Sequence, residues 1–216
     1  MNETIGQTLG DLINAIQVHI PLLVYFVGLF WAVHIVNILS RGWIKRFGII
    51  PRTPFGLFGI FTSPFIHGDL MHLLVNTSML IVLGGFMMIQ GTGFFFLISA
   101  IIIVLGGLLL WCVGRRACHI GASSLIMGYW GALVMMAYKN PSVITIGIAA
   151  ICIIYFGSMI FSVLPEDKAV SFEGHLCGLI AGGCSIFIAP IIGPKIYPLI
   201  EPIINASNHL VLSHLI

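Results

Sequence analysis

Six long apolar runs, separated by short stretches that hold almost every charge, leave this chain one kind of fold. The runs are Ile20–Leu39, Leu70–Gln90, Phe94–Val113, Ala122–Tyr138, Ser142–Leu164 and Val170–Ile192. About 20 apolar residues in a helix cross the ~30 Å hydrocarbon core of a bilayer. In lipid every backbone N–H and C=O must be bonded internally, which a helix does for itself. Charged residues make up 7% of the 216, against about 25% in a soluble domain, so no soluble module is expected. The net charge of +2 and the lack of basic runs interleaved with aromatics give no surface for single-stranded nucleic acid.

The punctuation between runs is ordinary turn chemistry: Gly91-Thr92-Gly93, Gly114-Arg115-Arg116, Lys139-Asn140-Pro141, Pro165-Glu166-Asp167-Lys168 and Gly193-Pro194. The first run opens at Pro21. The linker after Ser40 carries Trp43, Phe47, Phe55, Phe58, Phe61 and Phe65 and is too apolar for a free loop. It is expected at the membrane interface, where aromatic rings settle. Residues 1–19 read as an N-terminal interfacial segment without the basic start of a cleavable signal, 20–192 as the membrane domain, and 193–216 as a tail too short and polar to span. No internal repeat is evident. The five cysteines lack metal-ligand spacing. Those inside apolar runs read as small core residues, and Cys112 with Cys118 is the one pair near a common membrane face. No metal or cofactor is expected.

In a serpentine bundle alternate spans run in the same direction, so the starts of the second, fourth and sixth lie at similar depth. Each start carries a polar motif: His67-Gly-Asp-Leu-Met-His72-Leu-Leu-Val-Asn76, then Gly121-Ala122-Ser123-Ser124, then Glu173-Gly174-His175. Ionisable groups within a membrane are costly and mark function. A serine hydroxyl becomes a nucleophile when a base takes its proton, and neutral imidazole is suited to that work. Ser123 and His175 are therefore the candidate pair. Ser124, Gly128 and Ala132 recur every fourth residue, as do Gly174, Gly178 and Gly182. Such small-residue stripes let helix backbones approach closely, which would bring Ser123 to His175. Acyl transfer also needs donors for a developing oxyanion. His72 and Asn76, one helical turn apart on one face, are candidates, with the Ser123 backbone N–H as a third. His67 sits just outside the second span and would support the site from behind.

Taken singly these residues have plainer readings. A serine in a membrane helix bonds back to its own helix, an asparagine joins helices, and His67 or His119 at a helix start is interfacial. Arg115 and Arg116 read as interfacial anchors and the methionines as filler. Order, spacing and common depth together favour a catalytic site.

The same residues resemble the rhomboid family of intramembrane serine proteases over residues 20–192. The rhomboid pattern of a His, four residues, a His, three residues and an Asn reads here as His67, His72 and Asn76. The Gly-x-Ser nucleophile motif reads as Gly121-Ala122-Ser123, and the late His with its glycine stripe as His175, Gly178 and Gly182. The resemblance implies an all-α membrane protein, a rhomboid-like bundle of six transmembrane helices. It implies hydrolysis of peptide bonds in or beside substrate transmembrane helices by a Ser123–His175 dyad, with His72 and Asn76 as oxyanion donors and no cofactor. The expected partners are transmembrane-helix substrates and the lipid bilayer, and the expected location is a bacterial inner membrane. Two positions depart from the pattern: Ser124 where glycine is common, and Met127 where many members place a tyrosine against the histidine. Tyr129 falls on another face, and Glu173 is on the side opposite His175. The family topology puts both termini in the cytoplasm. Seven basic residues (Arg41, Lys45, Arg46, Arg52, Arg115, Arg116 and Lys168) then lie outside and two (Lys139 and Lys195) inside, against the positive-inside bias. The other readings are a pseudoprotease that binds membrane helices for quality control and a small transporter. The transporter reading lacks inverted repeats.

Overall fold

The computed structural model describes residues 2–164 and 171–213. Among them the chain is helical, with no strand beyond one isolated antiparallel bridge, Ile49 to His119. Four helices are long and apolar enough to cross a membrane: His19–Leu39, Leu70–Ile89, Thr92–Val113 and Phe172–Leu199. The molecule is an all-α integral membrane bundle. The segments expected as the fourth and fifth spans form shorter helices, Ser123–Lys139 and Val143–Phe156.

Helix α1 (Asn2–Leu39) passes through Pro21 without a break. Pro21 was expected to start the span. Its fixed φ is already helical, and its cost is one missing N–H, which does not outweigh the demand for a bonded backbone in lipid. Two left-handed residues, Arg41 (φ 54°) and Gly42 (φ 83°), close α1, and the Gly42 N–H bonds to the Asn37 carbonyl at 2.8 Å. The linker is a folded structure. A 3₁₀ turn covers Trp43–Phe47. Helix α2 (Pro54–Thr62) is capped by Thr53, whose hydroxyl accepts from Gly56 N, with Pro54 at its first position, the pairing that best starts a helix. The Thr62 hydroxyl ties back to Phe47 O at 2.6 Å.

Helices α3 (Leu70–Ile89) and α4 (Thr92–Val113) each contain a π segment, Leu80–Gly84 and Ile102–Gly106. These coincide with a repeat not seen in the sequence reading: Ile-Val-Leu-Gly-Gly occurs at 81–85 and again at 103–107. Helix α5 (Ser123–Lys139) runs through the middle. Phe30, Leu73, Leu83, Phe95 and Tyr129 close the core around it, and the Tyr129 hydroxyl meets that of Ser99 on α4 at 2.7 Å. At 17 residues α5 is about 25 Å long, shorter than the ~30 Å hydrocarbon core. Helix α6 (Val143–Phe156) starts on a reciprocal Ser142–Thr145 capping box and continues as a 3₁₀ stretch, Gly157–Val163. The expected turn from Pro165 to Lys168, and Val170, fall outside the described residues.

Helix α7 (Phe172–Ser213) corrects the expected stop at Gly193-Pro194: it runs through Pro190, Pro194, Pro198 and Pro202. Four-residue spacing puts the prolines on one face, and all four are exposed. Each leaves the carbonyl four residues earlier without its donor. At the first of these, Ile186 O, the Lys139 ammonium supplies the missing bond at 3.1 Å. It also sits 4.6 Å from the Phe187 ring centroid.

Candidate functional site

The nucleophile candidate stands at a turn that only glycine builds easily. Gly121 has φ +115°, a backbone state that side-chain-bearing residues rarely adopt. A Cβ there would also meet the His72 ring at 2.7 Å and the Asn76 amide nitrogen at 3.6 Å. The absence of a side chain thus lets His72 and Asn76 come up against the start of α5. The turn is held from the linker side, Gly121 N–H to Ser63 O at 2.9 Å and Ala122 N–H to His67 Nε2 at 3.5 Å. Ser123 opens α5, where first-turn N–H groups have no intrahelical partner and the helix dipole favours negative charge.

His175 is brought to Ser123 by contact between α5 and α7. A Cβ on Gly178 would collide with the Ser124 carbonyl oxygen, and one on Gly182 with that of Gly128. The two glycines therefore lie directly on the α5 backbone. Gly174, the first member of the expected stripe, does not: its open side faces Ser171 and Leu110. Gly128 presents its carbonyl to α7 and its missing side chain to Ile102 of α4. Gly131 joins the contact further down, against Leu179 O, a position the sequence reading did not single out.

Ser123, His175, His72, Asn76 and Met127 line one cavity of about 590 Å³, with Asp69 and Arg115 also in its wall. Ser123 and His72 are half-buried, and His175 is 9% exposed. Asn76 is 3% exposed, and its Nδ2 is a buried donor with no partner among the described residues. An orphaned buried donor costs about 1–3 kcal/mol and calls for an explanation. Met127 is buried in the cavity wall with His175, whereas Tyr129 points to Ser99, away from the site.

His67 lies behind this wall, fully buried, 5.1 Å from the His72 ring centroid. Burial, reinforced by the neighbouring His72, pushes its pKa down to about 4, so it is neutral at physiological pH and keeps a lone pair toward Ala122 N. Asn37 at the end of α1 donates to the His67 carbonyl at 3.1 Å. Asp69 caps α3 by accepting the His72 N–H at 2.8 Å, and that hydrogen bond lowers its pKa.

Three placements were not legible beforehand. His119, read as interfacial, is buried and bonded through both ring nitrogens, to the Ser171 hydroxyl at 2.6 Å and Arg115 O at 3.0 Å. Ser171, expected inside the sixth span, stands just ahead of it and accepts the Gly174 N–H at 3.2 Å. A serine three residues before a helical glycine was the available signal. Arg115, read as an anchor, pairs with Glu173 at 3.6 Å, joining the loop before α5 to the start of α7. The five cysteines are free thiols; Cys152 and Cys177 are buried, Cys184 exposed, and desolvation raises the pKa of Cys118. Among the described residues no cluster could hold a metal ion.

Comparison with known proteins places the chain in a family. An uncharacterized protein of Mycobacterium tuberculosis (strain ATCC 25618 / H37Rv) is 33% identical over 172 residues, covering 76% of this chain and 72% of that one. One from Mycobacterium leprae (strain TN) is 29% identical over 175 residues, 76% of this chain and 68% of that one. A putative rhomboid protein of Acanthamoeba polyphaga mimivirus is 26% identical over 134 residues, 59% of this chain and 72% of that one. The Rhomboid domain model matches residues 54–190, a span that takes in the linker helix, the Gly121 turn, the glycine contact between α5 and α7, and every residue of the cavity wall. The chain belongs to the rhomboid family.

Proposed function

We propose that the protein is an intramembrane serine endopeptidase that hydrolyses peptide bonds in or next to transmembrane segments of membrane-protein substrates. The observation that carries the reading is the single cavity lined by Ser123, His175 and His72 together with the orphaned Asn76 amide. An unsatisfied buried donor beside a serine at a helix start is what an oxyanion site needs while it stands empty.

In this reading the Ser123 hydroxyl attacks the scissile carbonyl carbon as His175 takes its proton. The carbonyl oxygen becomes an oxyanion, met by the Asn76 amide, the His72 ring and the Ser123 backbone N–H. The tetrahedral intermediate collapses, the C–N bond breaks, and His175 returns the proton to the leaving amine. Water then attacks the acyl-enzyme ester with His175 again as base, releasing the carboxylic acid and restoring Ser123. A substrate helix hides its carbonyls in its own hydrogen bonds, so the segment must unwind at the cleavage point. The membrane is that of a bacterial cell, crossed several times by the chain.

The test is cleavage of a panel of tagged single-span substrates by purified protein, alongside labelling by a fluorophosphonate. Wild type is expected to cleave and to be labelled at Ser123. Ser123→Ala and His175→Ala are expected to lose turnover by about 10⁴ or more, and the double variant to lose no more than either single, because the pair acts as a unit. A wild-type protein that binds substrate helices but neither cleaves nor labels would overturn the protease reading in favour of a helix-binding pseudoprotease.

A further inference from the structure

The catalytic reading leaves unused the most basic and most aromatic part of the chain. Between Asp11 and Asp69 there is no acidic residue, while Arg41, Lys45, Arg46 and Arg52 all fall there. Asp69 itself is engaged as the cap of α3, with Lys45 in its field. The one ion pair among the described residues is Arg115 with Glu173, so Arg41 and Arg46 meet no carboxylate there. Both are exposed.

Beside Arg46, across the Phe47 ring, runs an apolar groove of about 550 Å³, within the ~300–1,000 Å³ range of small-molecule sites. One wall is the α1 face made by Leu29, Ala32, Val33 and Val36, at helical spacing; the other is the linker, through Phe47 and Phe58. Thr62, the one hydroxyl in the lining, is already bonded to Phe47 O. The groove and the cations share a residue. The Arg46 guanidinium lies 4.4 Å from the Trp43 ring centroid and 5.7 Å from that of Phe47, and Phe47 lines the groove. Trp43 is 54% exposed, an anchor of the kind found at headgroup level. A cation stacked on an aromatic wall, at the mouth of an apolar channel that descends along a spanning helix, has the polarity of a phospholipid in order from headgroup to chain.

We propose that this groove binds an anionic phospholipid, one acyl chain lying between α1 and the linker and the phosphate held by Arg46. The charge selects the occupant. A zwitterionic lipid, a second copy of this chain or an apolar peptide helix would fill the groove but leave the acid-free cluster unanswered. A basic residue near a membrane surface gains about a fivefold preference for anionic lipid.

Native mass spectrometry of the purified full chain, incubated with equimolar phosphatidylglycerol and phosphatidylcholine of matched chains, tests this. Wild type is expected to retain phosphatidylglycerol selectively. Arg46→Gln, a surface change that leaves the fold alone, is expected to lower that retention about fivefold. Ala32→Phe, which fills the groove, is expected to abolish retention of both lipids, and Lys195→Gln, an exposed change far along α7 from Ser171, to change nothing. Equal retention of the two lipids by wild type, an equal loss in Lys195→Gln, undiminished retention in a folded Ala32→Phe protein, or a dimer mass that vanishes in Ala32→Phe would each overturn the proposal.

Discussion

Helix α5 has two flanks, and they are built on opposite principles. Toward α7 it is dry and in backbone contact: Gly178 and Gly182 rest on the carbonyls of Ser124 and Gly128 with no room for a methyl group. Toward α3 it is open. Past the contact of His72 and Asn76 with the Gly121 turn, these two and Met79 line a cavity of about 590 Å³, and one of their polar atoms lacks a partner. The sealed flank gains dispersion contact and holds the two candidate catalytic side chains at one level. The open flank gives up packing and hydrogen bonding where a reacting group would have to enter. Stability and chemistry therefore reside on different sides of one helix, and substitutions should separate them.

The largest effect is expected on the sealed flank. Gly178→Leu would force the helices apart at Ser124, and overpacking of a filled contact costs about 1–3 kcal/mol or more. It should lower the thermal midpoint in detergent and abolish cleavage together; a folded, fully active Gly178→Leu protein would mean that the contact does not hold the site. On the open flank Asn76→Ala should do the reverse. Loss of one oxyanion donor lowers kcat by about 10²–10³ with little change in KM, since the bond is made mainly in the transition state. Because the amide nitrogen is unpartnered, its removal should leave the melting temperature unchanged or raised. Marked destabilisation with kcat intact would make Asn76 helix glue instead.

The smallest effect is expected behind the open flank and appears only in acid. An unfolded histidine takes up a proton below its ordinary pKa of 6.5, while folded His67 does so only near 4. Its folded-state pKa is depressed, so the neutral form is the native one. Above pH 6.5 the group contributes nothing, and stability is lost as pH falls from 6.5 toward 4, by up to about 3 kcal/mol. His67→Gln should flatten that part of the pH–stability curve measured by thermal unfolding. An unchanged acid slope would assign the loss to other groups.

The bundle was legible where apolar runs meet turn residues. Leu70 begins α3, and Val113 ends α4, as the hydropathy and the Gly114-Arg115-Arg116 break imply. It was not legible at Pro21 or at Pro190 to Pro202, because proline ends helices where water can take over the freed carbonyl, and lipid offers no such exchange. The fifth segment is helical over nearly its expected length, but an apolar composition does not reveal where α-helix gives way to 3₁₀ at Gly157. Around the site, the spacing of Ser124 with Gly178 carried the helix contact, but Gly174 faces elsewhere although it shares the period. The burial of His119 could not be read at all. It depends on Ser171, 52 residues away, and long-range pairs leave no periodic trace.

Lys139 and Pro190 now look different as a pair. The lysine is a helix-end charge whose ammonium occupies a carbonyl that exists as a free acceptor only because position 190 has no N–H. In evolutionary terms the two sites are not independent characters. With an alanine at 190 the backbone would reclaim Ile186 O and leave the ammonium only the face of Phe187; with a methionine at 139 the proline would leave the carbonyl of buried Ile186 without a donor. Descendants of this chain should therefore change these two positions together or keep both, a covariation between residues 51 apart whose origin is a single missing hydrogen.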